Sequence, residues 1–266
     1  MEPDYFQQLV NDFSQCAEVD AILLAGSRAA NSADEHSDYD LYVYVEREIP
    51  VATRQAITET SCAYMELNNQ FWETEDDGVL RDDVPIDIIY RNLDWLDGEL
   101  DRVLLKHQAG TGYTTCFWSN LLTSKILYDR DGKAQQLQAK YRIPYPPELK
   151  QNIIRKNYPL LMQQMPAYYF QVKKALQRHD IISVNHRVAE FLAGYFDILF
   201  AVNEYPHPGE KKLLDIVERE CKTIPHNFRE DMQELMRLIG ADDDRILAVL
   251  ERIVKNLDAV LPETLA

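Results

Sequence analysis

The chain has 266 residues, 46% hydrophobic and 27% charged, which is typical of a soluble globular protein and excludes a disordered one. Its formal net charge of −16 repels nucleic-acid phosphates and so argues against a nucleic-acid partner. The cysteines form no CxxC pair, so we expect free thiols. No apolar run could span a bilayer, so we expect no membrane segment. The N-terminus has no signal-peptide pattern, so we expect a cytoplasmic protein.

Strand-type and helix-type patterns alternate through the first half of the chain. Residues 19–25 are an apolar run that stops at Gly26, as a buried strand does at a turn. Apolar residues at helical spacing follow Asp4 and Asn92, either of which can cap a helix. Residues 119–127 fit a helix or a strand. The predicted helices are residues 4–16, 50–60, 92–107 and 133–141, and the predicted strands are residues 19–25, 41–45, 62–67 and 84–90.

A proline-rich linker separates this half from a helical second half. Residues 143–147 read Ile-Pro-Tyr-Pro-Pro, and proline can continue neither a helix nor a strand ladder. We therefore predict an α/β (α+β) domain over residues 1–145 and an all-α helical bundle over residues 146–266. The predicted helices of the bundle are residues 149–177, with breaks at Pro159 and Pro166, and residues 181–202, 210–221, 227–239 and 242–261.

The turn after the first strand has the features of an anion site. The strand ends at Gly26-Ser27, where small residues let backbone N–H groups approach a phosphate closely. A helix over residues 27–33 would add the positive potential of its N-terminus, and Arg28 would add a formal charge. The same turn can also be only a chain reversal.

A pair of carboxylates follows at strand spacing. Asp38 and Asp40 flank Tyr39 at the start of a predicted strand, so both side chains project from the same face. Two adjacent carboxylates repel each other unless a cation joins them. Oxygen ligands of this kind suit Mg²⁺, which also binds phosphate oxygens.

A third carboxylate, Asp87, interrupts the otherwise apolar strand of residues 84–90. A charge inside such a strand needs a partner or a function. Together with Asp38 and Asp40, it can hold two metal ions that neutralise a triphosphate and bring an acceptor oxygen in line.

The order of these residues resembles the DNA polymerase β-type nucleotidyltransferase superfamily. The resemblance covers residues 19–90 and consists of Gly26-Ser27, ten intervening residues, Asp38-x-Asp40 and the distal Asp87. An α/β domain followed by a helical domain is similar to the aminoglycoside and lincosamide antibiotic nucleotidyltransferases. The resemblance implies a domain with a mixed β-sheet and Mg²⁺-dependent transfer of a nucleotide, AMP from ATP being favoured, to a hydroxyl group with release of pyrophosphate.

The same resemblance implies the roles of the individual residues. Gly26 and Ser27 would contact the phosphates, and Asp38 and Asp40 would bind two Mg²⁺ ions. Asp87 would be a third metal ligand or the base that activates the acceptor hydroxyl, and these two roles remain open. The expected partners are an NTP and a small-molecule acceptor, which in the resembling enzymes is an antibiotic.

Two features of the second half are less specific. Lys211 and Lys212 precede a predicted helix and could contact the triphosphate, or they are solvated charges. His186 and Glu190 share one helix face, where Glu190 could act as a base, although an ordinary pair on a surface helix explains them as well.

Three alternatives compete with nucleotidyl transfer to a small molecule. Transfer to RNA conflicts with the net charge and with the lack of a basic stripe, while transfer to a protein side chain stays open. A non-catalytic nucleotide-binding regulatory module is disfavoured because all three carboxylates are present. A kinase or P-loop NTPase is disfavoured because no GxxxxGK[ST] motif occurs.

Overall fold

The structure, a computed structural model, describes residues 4–29 and 37–261. The chain forms two compact units, which we call the sheet unit (Met1–Asp101 and Asn120–Arg142) and the helical unit (Arg102–Ser119 and Ile143–Ala266). The junction after Arg142 lies beside the predicted linker. Residues 102–119 are part of the helical unit, and the domain boundary at residue 145 stays a prediction.

A mixed six-stranded β-sheet organises the sheet unit. Its strands in chain order are β1 (Val19–Ala25), β2 (Tyr39–Val45), β3 (Cys62–Asn69), β4 (Thr74–Leu80), β5 (Pro85–Arg91) and β6 (Lys125–Asp129). Their order across the sheet is β3-β4-β5-β2-β1-β6. β2 and β5 run parallel, and the other neighbouring pairs are antiparallel. The predicted mixed sheet is therefore confirmed.

The first part of the chain also contains helices, most of which belong to the sheet unit. They are α1 (Tyr5–Ser14), α2 (Gly26–Ala29), α3 (Val51–Ser61), α4 (Leu93–Leu100), α5 (Cys116–Thr123) and α6 (Lys133–Lys140). Asp4 caps α1 by accepting the backbone N–H of Gln7 at 2.8 Å. The predicted helix over residues 92–107 is shorter, because a π-helical turn at Asp101–Leu105 follows α4.

The two faces of the sheet differ in polarity. Leu41 on β2 and Ile88 on β5 are fully buried neighbours, and they pack in a core that includes Leu9 and Phe13 of α1. Side chains alternate along a strand, so Asp40 and Asp87, which precede these two residues, lie on the opposite face. One face thus holds the core while the other presents carboxylates.

Strand β4 is the element that the sequence analysis missed. Its sequence, Thr-Glu-Asp-Asp-Gly-Val-Leu, is rich in acids, which are depleted in strands. Its core face includes Asp76, which is fully buried and bound by the buried Arg54 (Nη1 to Oδ1, 2.6 Å). Tyr90 Oη donates to the other carboxylate oxygen at 2.7 Å. A buried ion pair therefore takes the place of an apolar residue in this strand.

The helical unit is built mainly from α-helices. Its later helices are α7 (Pro147–Tyr158), α8 (Tyr168–Leu176), α9 (Ile181–Val202), α10 (Leu213–Glu220), α11 (Phe228–Leu238) and α12 (Arg245–Asp258). The buried core includes Phe191 and Leu199 of α9 and Leu250 of α12. Pro159 begins the π-helical turn after α7, at a predicted break. Within the described part of the chain, no helix has both the length and the apolarity needed to cross a bilayer.

Candidate active site

Three aspartates converge on the polar face of the sheet. Asp38 directly precedes β2, Asp40 is the second residue of β2, and Asp87 lies on β5. Because β2 and β5 are parallel neighbours, Asp40 and Asp87 are paired in register. One carboxylate oxygen from each aspartate lies within 4.8 Å of those from the other two, and all three side chains are half-buried. The structure thus brings together the three residues that the sequence analysis selected.

This carboxylate triad (Asp38, Asp40 and Asp87) has the donor set of a divalent-cation site. Clustered carboxylates repel one another, and a cation removes that repulsion. Oxygen-only ligands favour Mg²⁺ or Mn²⁺ over softer metals. Among the described residues, these three are the acidic, histidine or cysteine side chains whose ligand atoms lie close enough together to hold one metal ion. The chemistry of these residues therefore fits the predicted metal.

Gly26 lies directly against the triad. Its φ is +64°, and a β-carbon built on it would stand 1.8 Å from Oδ2 of Asp40. The strand register explains this proximity, because Ala25 on β1 pairs with Asp40 on β2. Glycine is required at this position by its conformation and by the space that the carboxylate occupies.

The predicted helix after this turn is described only in part. Gly26–Ala29 form the short helix α2, and residues 30–36 lie outside the described residues. The side chain of Ser27 also lies outside what the structure describes. Phosphate contacts of Gly26 and Ser27 stay predictions.

Arg28 binds backbone carbonyls of the segment that leads into β2. Its Nε donates to the carbonyl oxygens of Ser37 at 3.0 Å and Asp38 at 3.1 Å, and its Nη2 donates to Ser37 at 2.6 Å. Its guanidinium also lies 4.1 Å from the ring centroid of Tyr39. Arg28 therefore holds the backbone that positions Asp38, whereas its contact with a phosphate stays a prediction.

A row of further acids extends from the triad across the sheet. Asp77 on β4 is paired in register with Asp87, and Glu66 on β3 is paired with Asp77. Residues paired in this way project from the same face of a sheet. Burial raises the pKa of Glu75, and the nearby carboxylates, first that of Asp77, raise it further. The sequence analysis did not find these acids because it did not find β4.

An arginine and two aromatic residues border the same face. Arg91 follows Asp87 by four residues on β5 and therefore shares its side of the sheet. It makes a two-pronged ion pair with Glu73 (Nε–Oε2 2.6 Å and Nη2–Oε1 2.5 Å). The guanidinium carbon of Arg91 also lies 4.4 Å from the ring centroid of Tyr42. Burial raises the pKa of Tyr42 and raises that of Tyr44 to about 12, so both phenols are neutral hydrogen-bond donors.

The candidates of the second half all lie in the helical unit. Lys211 and Lys212 are exposed and directly precede α10, with Lys212 at its N-cap. Glu190 is exposed on α9. Burial of Tyr168 raises the pKa of its phenol, and the negative charge of Glu190 raises it further. Contacts of Lys211, Lys212 and Glu190 with an NTP or an acceptor stay predictions.

Comparison with known proteins identifies the sheet unit. Residues 7–93 match the family model described as "Polymerase beta, Nucleotidyltransferase". Residues 118–212 match a domain of unknown function, DUF4037. Gly26, Asp38, Asp40 and Asp87 all lie within the first match. Residues 7–93 therefore match the nucleotidyltransferase family that the sequence motifs predicted.

Solved structures of low identity are also similar to the chain. A nucleotidyltransferase-like protein from Exiguobacterium sibiricum 255-15 is 10% identical with a TM-score of 0.43, covering 96% of this chain and 74% of that one. An aminoglycoside 6-adenyltransferase from Bacillus subtilis is 11% identical with a TM-score of 0.27, and the match covers 99% of this chain and 94% of that one. A Thermotoga maritima CCA-adding enzyme complexed with tRNA is 14% identical with a TM-score of 0.35, and the match covers 100% of this chain and 68% of that one. No curated protein matches the sequence significantly.

Proposed function

We propose that this protein is a metal-dependent nucleotidyltransferase that transfers a nucleoside monophosphate, AMP from ATP being favoured, to a hydroxyl group of a small molecule. The observation that carries the proposal is the carboxylate triad, whose oxygens converge within 4.8 Å inside the family-matched domain. A cytoplasmic location, where ATP and Mg²⁺ are abundant, is part of the same proposal.

In the proposed reaction, the acceptor oxygen forms a bond to the α-phosphorus of the NTP. The bond between the α-phosphorus and the bridging oxygen breaks, and pyrophosphate leaves. The proton of the acceptor hydroxyl passes to a base, for which Asp87 is the candidate of the triad. If Asp87 is instead only a metal ligand, the proton passes to solvent.

The chain's own residues supply the charge and the positioning for this reaction. Asp38, Asp40 and Asp87 would hold Mg²⁺ through carboxylate oxygens. When bound, two Mg²⁺ ions would neutralise the triphosphate and favour ionisation of the acceptor hydroxyl.

Gly26 leaves open the space beside Asp40 that any side chain would fill. Arg28 fixes the backbone at Asp38. Ser27, Lys211 and Lys212 are proposed to contact the phosphates.

The proposal of a small-molecule acceptor rests on the charge around the triad. Glu66, Glu75 and Asp77 lie on strands next to or near Asp87, and the whole chain carries a net charge of −16. Such a surface repels the phosphates of an RNA acceptor and favours a neutral or cationic one. An antibiotic is one acceptor of this kind, and transfer to a protein side chain is the alternative that the charge permits.

A screen of nucleotides against acceptors tests the proposal. Each of the four NTPs would be incubated with aminoglycosides, lincosamides, simple alcohols, RNA or protein, and pyrophosphate release would be followed with Mg²⁺ or with EDTA. We expect release that requires metal, prefers ATP and needs a hydroxylated small molecule. Release only with RNA or protein would replace the proposed acceptor. Metal-dependent NTP binding without transfer to any acceptor would indicate a regulatory module.

A further inference from the structure

The aspartates of the carboxylate triad are held by two different kinds of contact. Asp40 on β2 is paired with Ala25 on one side and with Asp87 on β5 on the other, so the sheet fixes the backbone of both acids. Asp38 directly precedes β2 and is not among the paired residues of the described strands. Backbone groups outside a ladder need other hydrogen-bond partners. The direction of the Asp38 carboxylate therefore depends on contacts outside the ladder.

Arg28 supplies such contacts on both sides of Asp38. Its Nε and Nη2 atoms donate to the carbonyl oxygen of Ser37, and Nε also donates to that of Asp38. These carbonyls belong to the peptide units before and after the α-carbon of Asp38. The donors of a guanidinium form a planar fork with fixed geometry. One side chain thus fixes the direction in which the Asp38 carboxylate leaves the backbone.

The ring of Tyr39 holds this guanidinium in turn. The guanidinium carbon of Arg28 lies 4.1 Å from the ring centroid of Tyr39, a distance typical of a cation–π contact. Phe6 of α1 stacks on the same ring, with centroids 3.9 Å apart and planes 9° apart. Both contacts are too close to share one face of the ring, so Tyr39 lies between Phe6 and Arg28. We call these three side chains the Arg28 clamp.

The ring of Tyr39 lies on the opposite side of the sheet from the carboxylates. Tyr39 stands between Asp38 and Asp40, and side chains alternate along a strand. Its ring and that of Phe6 pack against the core on the face that α1 covers. A substitution of the Tyr39 ring therefore removes no metal ligand, and it can act on the triad only through the guanidinium and the backbone.

We propose that Arg28 and Tyr39 are positioning residues that orient Asp38 toward the divalent cation of the triad, with Phe6 supporting the ring of Tyr39. The inference rests on the proposed function, because it assigns the Arg28 clamp to the same metal site. Groups that orient a metal ligand typically change metal affinity by about 10–100-fold when they are replaced. A guanidinium that only contacts phosphate would instead change the affinity for NTP and leave the binding of metal alone unchanged.

Binding of Mn²⁺ to the full-length chain without nucleotide tests the inference, with the free ion measured by EPR. The binding that Asp40→Asn removes is assigned to the triad. Arg28→Lys keeps the charge but replaces the planar fork by one ammonium, so its triad affinity should fall by about tenfold or more. Arg130→Lys is the matched control and should bind like the wild type. Arg130 also donates to two adjacent backbone carbonyls, those of Cys16 and Ala17, which precede β1.

Two variants of Tyr39 test the role of the ring. Tyr39→Phe keeps the stack and should retain the wild-type affinity for Mn²⁺, whereas Tyr39→Leu should lower it by about fivefold, the equivalent of one cation–π contact. Melting curves verify that each variant is folded at the temperature of the titration, and Arg28→Lys decides alone if Tyr39→Leu does not fold.

The outcomes separate this inference from the proposed function. Wild-type Mn²⁺ affinity in Arg28→Lys, or equal affinities in the two Tyr39 variants, overturns the inference and leaves the proposed function standing. Weaker NTP binding in Arg28→Lys with unchanged Mn²⁺ affinity also overturns it, in favour of a phosphate contact. If Asp40→Asn removes no Mn²⁺ binding, the metal site of the proposed function fails and the inference fails with it.

Discussion

The backbone of Gly26 lies so close to Asp40 that a β-carbon at residue 26 would stand 1.8 Å from the Oδ2 atom of Asp40. The glycine also has a φ of +64°, a conformation that other residues adopt with strain. The turn after β1 and the carboxylate on β2 thus share one small volume, so a side chain at the turn must displace the proposed metal ligand.

Gly26→Ala should therefore impair both folding and transfer. The methyl group must push the Asp40 carboxylate away, and a misplacement of this size typically lowers a rate by about a hundredfold. The positive φ adds a destabilisation of about 1 kcal/mol or more. Transfer rates and chemical unfolding would measure the two effects.

Gly98→Ala is the matched control for this substitution. Gly98 is exposed on α4, and a β-carbon there would have no neighbour within 4 Å. It should leave the rate unchanged and stabilise the chain by up to about 1 kcal/mol, the usual gain in a helix. Equal rate losses in the two glycine variants would contradict the role assigned to the space beside Asp40.

Asp38→Asn and Asp40→Asn should each abolish most of the transfer activity. Each change removes one negative ligand from the carboxylate triad, and the lost stabilisation of the transition state lowers the rate by about a hundredfold or more. Mg-NTP affinity, measured by calorimetry, should fall as well. Melting temperatures should stay close to that of the wild type, because fewer clustered charges reduce repulsion in the metal-free protein.

The exposed Asp82 provides a charge-matched control. Asp82→Asn makes the same chemical change outside the triad and should retain full activity and affinity. Unchanged transfer in Asp38→Asn and Asp40→Asn would refute the catalytic assignment and leave a binding module.

Asp87→Asn distinguishes the two roles that remain open for this residue. If Asp87 is the base, Mg-NTP should bind with unchanged affinity while transfer to the acceptor fails. If Asp87 is only a third metal ligand, affinity and transfer should fall together. Calorimetry and single-turnover transfer on the same preparation provide the comparison, and wild-type values for both would remove Asp87 from the site.

The triad could be predicted from the sequence because local rules place its members. Strand periodicity puts Asp38 and Asp40 on one face, and an aspartate within an apolar strand identifies Asp87. Only the pairing of β2 with β5 brings Asp87 to the other two, and periodicity along one strand does not reveal which strands are neighbours.

Relationships over long distances along the chain could not be predicted. Strand β4 holds Asp76 in the core only because Arg54, 22 residues earlier, neutralises it, and no local pattern reveals such a partner. Residues 102–119 join the helical unit for a similar reason, since packing and not their own pattern decides which core they meet. Arg28 donates to the carbonyl oxygens of Ser37 and Asp38, whose positions depend on the folded chain, while its contact with a phosphate stays a prediction.

Asp76→Asn should strongly destabilise the sheet unit. Arg54 is 1% exposed and would lose its close, buried carboxylate partner, keeping only the longer contact of 3.8 Å to the exposed Glu48. Breaking a buried ion pair in this way typically costs about 3–5 kcal/mol. Denaturant unfolding would measure the loss. Glu18→Gln, which breaks an ion pair with the exposed Arg47 in the same unit, should change the unfolding free energy very little. Similar results for the two variants would contradict the structural role of the buried pair.

Asp197 of α9 should make the stability of the helical unit depend on pH. Its side chain is buried, and burial raises its pKa from 3.8 to about 6, although hydrogen bonds from Thr114 and the charge of Lys156 act in the opposite direction. The folded chain therefore binds this proton more tightly than the unfolded chain. Protonated Asp197 therefore adds to the unfolding free energy. This contribution is fully present below about pH 4, is lost as the pH rises through about 6, and amounts to about 3 kcal/mol at most.

Comparison with Asp197→Asn isolates this titration. His207, whose pKa burial lowers to about 4, gives the opposite dependence, because its contribution is lost as the pH falls from 6.5 toward 4. The two groups oppose each other in the wild type, but His207 is common to both proteins and cancels in their difference. Between pH 4 and pH 7, the unfolding free energy of the wild type should fall relative to that of the variant. A constant difference over this range would show that Asp197 keeps an ordinary pKa in the folded chain.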